Sequence, residues 1–160
     1  MPKEIERKYL VRDESIIEGK ESLEIVQGYL SETGATVRVR VVDGVRGYIT
    51  VKGRPKGPSK SEWEYEIPVS HAIEMLKSEC GDRIIEKTRY LVPVDEVVFE
   101  VDVFKGRYAG VIVAEVELKK KSQFVPQPVW LGKEVTGKKG CSNRAMACNS
   151  PHARLRLVAA

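Results

Sequence analysis

The feature that most constrains this chain is charge at every second position. Glu4, Glu6 and Lys8 alternate with Ile5, Arg7 and Tyr9 in "EIERKYLV". In a strand, successive side chains point to opposite faces, so those three charges share one face. The same unit recurs along the sequence. Arg38 and Arg40 oppose Val37, Val39 and Val41. Thr50 and Lys52 oppose Ile49 and Val51, and Glu62 and Glu64 oppose Trp63 and Tyr65. Lys87 and Arg89 oppose Thr88 and Tyr90. Glu100 and Asp102 oppose Phe99, Val101 and Val103, while Glu115 and Glu117 oppose Ala114, Val116 and Leu118.

The segments that carry this unit are rich in Val, Ile, Tyr and Thr and read as strands, near 3–11, 24–31, 35–42, 46–52, 61–68, 84–92, 97–104 and 110–118. Asp43-Gly44 is a strong hairpin turn. Pro93 and Asp95 separate the sixth strand from the seventh. The Pro/Gly/Ser-rich stretch "GRPKGPSKS", residues 53–61, reads as a mobile loop. "SHAIEMLKSECG" reads as a helix capped by Ser70 and ended by Gly81, with Ile73, Leu76 and Cys80 on one face. "SNRAMACN" reads as a short helix capped by Ser142. The region after 118 has no clear period, and the tail "PHARLRLVAA" is left unplaced. No linker divides the 160 residues, so the expectation is one domain spanning 1–160.

A sheet with one solvated face would also alternate, but such a face usually mixes Thr, Ser, Gln, Lys and Glu. Here it is almost wholly ionic, and like charges stand two apart on the same strand, where they repel. A closed eight-stranded antiparallel barrel with the charges inside accounts for this, its apolar faces turned outward against helices and the C-terminal segments. Charges in a lumen are costly unless paired, hydrated or ligand-bound. Arginine and lysine match phosphate oxygens, and carboxylates beside them make sense with a hard divalent cation that bridges to phosphate. A metal–polyphosphate complex suits both charge sets. No Walker-A loop or GxGxxG is present.

Composition narrows the rest. With 27 basic and 23 acidic residues the net charge is +4, a mild excess interleaved along the chain, so a nucleic-acid partner is not expected. No segment approaches the roughly 20 apolar residues of a membrane span, and the charged N-terminus does not read as a secretory signal. Cys80, Cys141 and Cys148 are odd in number without CxxC spacing and read as reduced thiols of a cytoplasmic protein. Cys141, Cys148 and His152 lack a fourth ligand and a familiar zinc spacing.

These residues resemble the CYTH, or triphosphate tunnel metalloenzyme, superfamily. "EIERKYLV" is similar to its ExExK signature, and an ordered series follows: "QGYL", "VRVR", "GYITVKG", "EWEYEI", "EKTRY", "FEVDVF", "AEVEL" and "WLGKEVT". The resemblance runs from residue 2 to about 136 and is strongest to the compact bacterial branch that hydrolyses inorganic tripolyphosphate. It implies a mainly β, α+β fold: an eight-stranded tunnel with helices outside. It implies that Glu4, Glu6, Glu115 and Glu117 bind metal, Mg²⁺ or Mn²⁺, with Asp102 as a further metal acid. Glu62 and Glu64 fall where a second metal or the attacking water is served. Lys8, Arg38, Arg40, Lys52, Lys87 and Arg89 correspond to phosphate clamps, with Lys8 also acting in catalysis, and Tyr29 is a weaker carry-over.

The implied partner is a small triphosphate or polyphosphate, bound by a monomer or a homodimer. Thiamine triphosphatase, class IV adenylate cyclase and a non-catalytic polyphosphate-binding module are the alternatives. The resemblance breaks at "GKKGCSN", where an expected Asp falls on Lys138 and an Arg-Tyr pair on Gly140-Cys141, while Asn143 fits. Residues 137–160 are therefore an atypical C-terminal segment.

Overall fold

Nine strands and two α-helices form in a computed structural model that describes residues 2–148. The strands are β1 (Lys3–Val11), β2 (Ser22–Tyr29), β3 (Thr36–Val42), β4 (Arg46–Lys52), β5 (Ser59–Ile67), β6 (Ile84–Val94), β7 (Val97–Phe104), β8 (Ile112–Glu117) and β9 (Leu131–Glu134). The helices are α1 (Val69–Ser78) and α2 (Asn143–Ala147). The sheet runs β5-β4-β3-β2-β6-β7-β8-β1-β9, and a further β5–β1 pairing closes eight of these strands into an antiparallel barrel. That closure is short: Lys3, Glu4 and Ile5 face Ser61, Lys60 and Ser59.

Alternation produces the barrel because each strand presents charge to one side and Val, Ile or Phe to the other. Apolar side chains form three clusters, two on the outer face of the barrel and one on the inner face, where it closes off the lumen. One gathers Val39, Val41, Ala72, Leu76 and Cys80 under α1. A second gathers Tyr9, Phe99, Val101, Val116, Val125 and Leu131 where the segment after β8 crosses the barrel. The third packs Ile85, Phe104, Tyr108 and Val113 against Val135, Met146 and Ala147.

Several details differ from the sequence reading. β6 continues through Pro93 to Val94, and the turn falls at Asp95, whose φ of 52° is left-handed. The N-cap of α1 is Pro68 rather than Ser70. Its buried stripe is Ala72, Leu76 and Cys80, and Ile73 is exposed. β5 begins at Ser59, so part of the expected 53–61 loop is barrel wall. β9 was not anticipated; it pairs with β1 at Tyr9 and Val11 beyond the end of β5. The Asp43-Gly44 turn forms as expected, with both residues at positive φ (51° and 69°). Ser142 caps α2, its side chain accepting from the Ala145 amide. His152 and the tail "PHARLRLVAA" lie outside the described residues. Among the described residues, no helix is long and apolar enough to cross a membrane.

Close packing of α1 depends on glycine. A Cβ on Gly28 would stand 2.7 Å from Cys80 Sγ and 2.9 Å from Leu76 Cδ2, so β2 and α1 meet only because that atom is missing. Gly28→Ala is expected to destabilise the fold by about 1–3 kcal/mol through overpacking. Urea unfolding checks this; an unchanged midpoint would show that α1 moves aside freely.

Candidate functional site

The lumen is a cavity of about 640 Å³. Of the residues expected at a site, Glu4, Glu6, Lys8, Tyr29, Arg38, Arg40, Lys52, Glu62, Glu64, Lys87, Arg89, Glu115 and Glu117 all line it, and so does Glu100. Register brings them together. Glu6 faces Glu117 and Lys8 faces Glu115 across β1–β8. Glu100 faces Glu115 across β7–β8, and Lys52 faces Glu62 across β4–β5.

Asp102, expected as a further metal acid, stands apart from these residues. It does not line the cavity. It is fully buried deeper along the inner face, where Oδ2 accepts from Lys87 Nζ at 2.6 Å and Arg89 Nη2 at 2.9 Å, and Oδ1 accepts from Arg89 Nε at 2.7 Å. Both oxygens thus serve two cations, the pairing a buried charge needs. Burial opposes the charge on Asp102, but Arg89 and Lys87 hold its carboxyl below the usual range. Arg89 also reaches Glu100.

The cationic wall is anchored from behind and from the C-terminal segment. Lys87 Nζ donates to Asn143 Oδ1 at 3.1 Å, and Lys8 Nζ donates to the Cys141 carbonyl at 2.7 Å. Arg38 Nη2 donates to Thr50 Oγ1 at 3.1 Å and to Glu64 Oε2 at 3.2 Å. Burial, with Arg89 beside it and Asp102 opposing, lowers the Lys87 amine to about 7. Burial and the neighbouring Arg38 and Arg89 lower Arg40 to about 10.

The acidic wall holds two carboxyl pairs. Glu6 hydrogen-bonds to Glu115, and burial together with Glu115 and Glu4 pushes Glu6 well above the usual carboxylate range. Burial also works against Glu115, but Lys8, the Glu6 hydrogen bond, Lys87 and Arg89 hold it well below that range. Of the two carboxyls, Glu6 thus holds a proton more readily than Glu115. Glu4 and Glu62 form the second pair: burial and the Glu4 contact raise Glu62, while Lys52 and Lys60 outweigh burial and lower Glu4. Lys52 Nζ lies 3.0 Å and Lys60 Nζ 3.4 Å from Glu4 Oε2.

A divalent ion fits this acidic wall. Glu115 Oε1 is buried and takes no hydrogen bond, and Glu62 Oε2 is likewise buried with none, only an ion pair to Lys52 at 3.3 Å. Oxygens of this kind are the donors a hard cation prefers. Among the described residues no three acids converge into a finished cage, because Glu4 is drawn to lysines and Glu6 to Glu115.

Sequence reasoning missed several lining residues. Lys60 and Arg54 sit in the Pro/Gly/Ser stretch, where no period marks them. Lys138 and Lys139 line the cavity at the break in the family pattern. Gln27 is not part of the lining but holds Arg40 from a fully buried position, and it escaped a search based on charge.

A closed antiparallel barrel with a lumen of opposed carboxylates and guanidinium groups is the CYTH architecture, and the CYTH domain model matches residues 2–144, so the chain belongs to this family. It is 41% identical over 138 residues to an inorganic triphosphatase of Acetivibrio thermocellus, covering 86% of this chain and 88% of that one. It is 35% identical over 154 residues to an inorganic triphosphatase of Nitrosomonas europaea, covering 92% and 99%. A crystal structure of an inorganic triphosphatase superposes with a TM-score of 0.65 at 34% identity, covering 92% of this chain and 95% of that one.

Proposed function

We propose that this chain hydrolyses inorganic tripolyphosphate to pyrophosphate and phosphate in a divalent-metal-dependent reaction within the lumen. The observation that carries this reading is the meeting of two opposed charge sets in one cavity, one suited to phosphate oxygens and one to a hard cation. The names of the relatives support it.

Glu4, Glu6, Glu115 and Glu117 would hold the ion, Mg²⁺ or Mn²⁺. Once bound, it would supply positive charge to offset the negative charge on phosphoryl oxygens. Lys8, Arg38, Arg40, Lys52, Lys87 and Arg89 bind the phosphates and hold the chain in line. Their charge offsets what develops on the transferring and leaving oxygens, the main need of phosphoryl transfer. Lys8 stands on the strand that carries Glu4 and Glu6 and faces Glu115 across β1–β8. Glu62 or Glu64 orients the attacking water and accepts its proton. Asp102 holds Lys87 and Arg89 in place.

Phosphate release from tripolyphosphate, thiamine triphosphate and ATP, with and without Mg²⁺ and Mn²⁺, tests the reading. Tripolyphosphate is expected to turn over fastest, and only with metal. Cyclic nucleotide from ATP with tripolyphosphate untouched would reject it, and binding without cleavage under every metal would favour a binding module.

A second test uses Lys87. An amine lowered to about 7 is largely neutral at pH 8, and a polyanion beside it restores the proton. Metal-free tripolyphosphate binding is therefore expected to take up protons at pH 8 and to weaken above pH 7 by up to about tenfold per pH unit. Calorimetry in buffers of different ionisation enthalpy measures this. Identical heats in all buffers would show that Lys87 is already charged.

A further inference from the structure

Gln27 stands on β2 beside the phosphate-binding wall, with its side chain sealed from solvent. Its amide is engaged at both ends. Oε1 accepts from Arg40 Nε at 3.0 Å, and Nε2 donates to Tyr29 Oη at 2.9 Å. The guanidinium fixes this orientation, because arginine has donors only and must meet the oxygen of the amide. The nitrogen must then face Tyr29, so the tyrosine oxygen is an acceptor towards Gln27, and its own proton is left over.

That proton has nowhere to go within the wall. Among the described residues Tyr29 Oη donates no hydrogen bond. The charged groups that act on it most strongly are Arg38, Arg40 and Lys8, which are all donors. Burial raises the Tyr29 hydroxyl above its ordinary value despite these cations, so the proton is retained across the working pH range. Tyr29 also lines the lumen. A buried hydroxyl surrounded by donors, with one proton uncommitted, is built to meet an anionic oxygen.

We propose that Gln27 is a positioning residue that sets hydrogen-bond polarity in this wall: it holds Arg40 and obliges Tyr29 to present its proton to a phosphate oxygen of the substrate. The proposal rests on the reading of the lumen as a triphosphate site. It separates the roles of two substitutions of similar size. In Gln27→Glu the carboxylate offers acceptors only, so it keeps Arg40 and takes the Tyr29 proton for itself. In Gln27→Met neither bond forms and the Tyr29 proton stays free for substrate.

The test is a pair of double-mutant cycles on metal-free tripolyphosphate binding, read by calorimetry, with KM and kcat in parallel and thermal melts to confirm folding. Tyr29→Phe is expected to weaken binding by about ten- to a hundredfold, the value of a hydrogen bond to a charged group. Gln27→Glu should weaken it by as much, and adding Tyr29→Phe to Gln27→Glu should cost nothing more. Adding Tyr29→Phe to Gln27→Met should cost its full amount. If both double mutants lose binding additively, or neither does, the polarity relay is overturned while the triphosphate site stands. If Gln27→Glu does not fold, the Gln27→Met cycle still decides, since absence of a Tyr29→Phe cost there overturns the proposal. If the unmodified protein binds no tripolyphosphate, the functional reading itself fails and takes this inference with it.

Discussion

Glu115→Gln is expected to reduce tripolyphosphate hydrolysis by about a thousandfold, equivalent to about 4 kcal/mol of transition-state stabilisation. Metal-free binding of the same anion should persist or tighten. The opposite directions follow from the position of this side chain. Glu115 is buried beside Glu6, carries an oxygen with no hydrogen-bond partner, and is held well below the usual carboxylate range by Lys8, Lys87 and Arg89. Gln preserves shape and removes the negative charge, so a cation loses its anchor while the phosphates lose a repulsive neighbour. Metal binding is read by calorimetry, and turnover by phosphate release. If the variant keeps near-normal kcat with Mg²⁺, the acidic wall is not the metal seat.

Asp102→Ala carries the largest expected cost to the fold, about 3–5 kcal/mol, because it leaves Lys87 and Arg89 buried without their counter-charge. That is a large share of the roughly 5–15 kcal/mol that holds a domain folded. Asp102→Asn should fall between it and the native protein. Unfolding in urea with EDTA present distinguishes the two roles this residue could have. A counter-ion shows the full loss without metal; a metal ligand would leave metal-free stability nearly intact and change only metal affinity. The pH dependence has a definite sign. The folded-state carboxyl lies below its ordinary value of 3.8, so its contribution is complete above that value and is lost as pH falls through the lower, folded one. The acid limb of the stability curve should therefore be flatter in Asp102→Asn.

How far the sequence could be read follows from parity. Strand alternation assigns a side chain to a face, and of the charges named in the alternating pairs every one lines the lumen except Asp102, while Arg46 and Glu66, of the same parity at the strand ends, stay outside it. Glu100 and Asp102 have the same parity, but parity says nothing about depth along the strand. Depth is set by the partner across the ladder: Glu100 faces Leu91, while Asp102 faces Arg89 and is enclosed by it and by Lys87. Lys60 was hidden because Pro58 and Gly57 disguise the start of β5, and its inward position depends on pairing with a strand more than fifty residues away. β9 has four residues and no alternation, and it exists because β1 extends past β5 and leaves an edge to cover. Gln27 has the right parity but no charge. The anchoring of Lys8 by Cys141 and Lys87 by Asn143 comes from a region with no period at all.

The joint between β1 and β5 differs in kind from the other seven in the barrel. It has three facing residue pairs where the others have five to eight, and none of the three apolar clusters bridges it. What fastens it beyond the backbone is charge: Lys52 and Lys60 on Glu4, with Glu62 alongside. A clasp of that sort responds to ionic strength, whereas the greasy outer layers do not. Salt should therefore slacken the circumference at this point first, and any cation that draws Glu4 away from its lysines must retie the hoop as it binds.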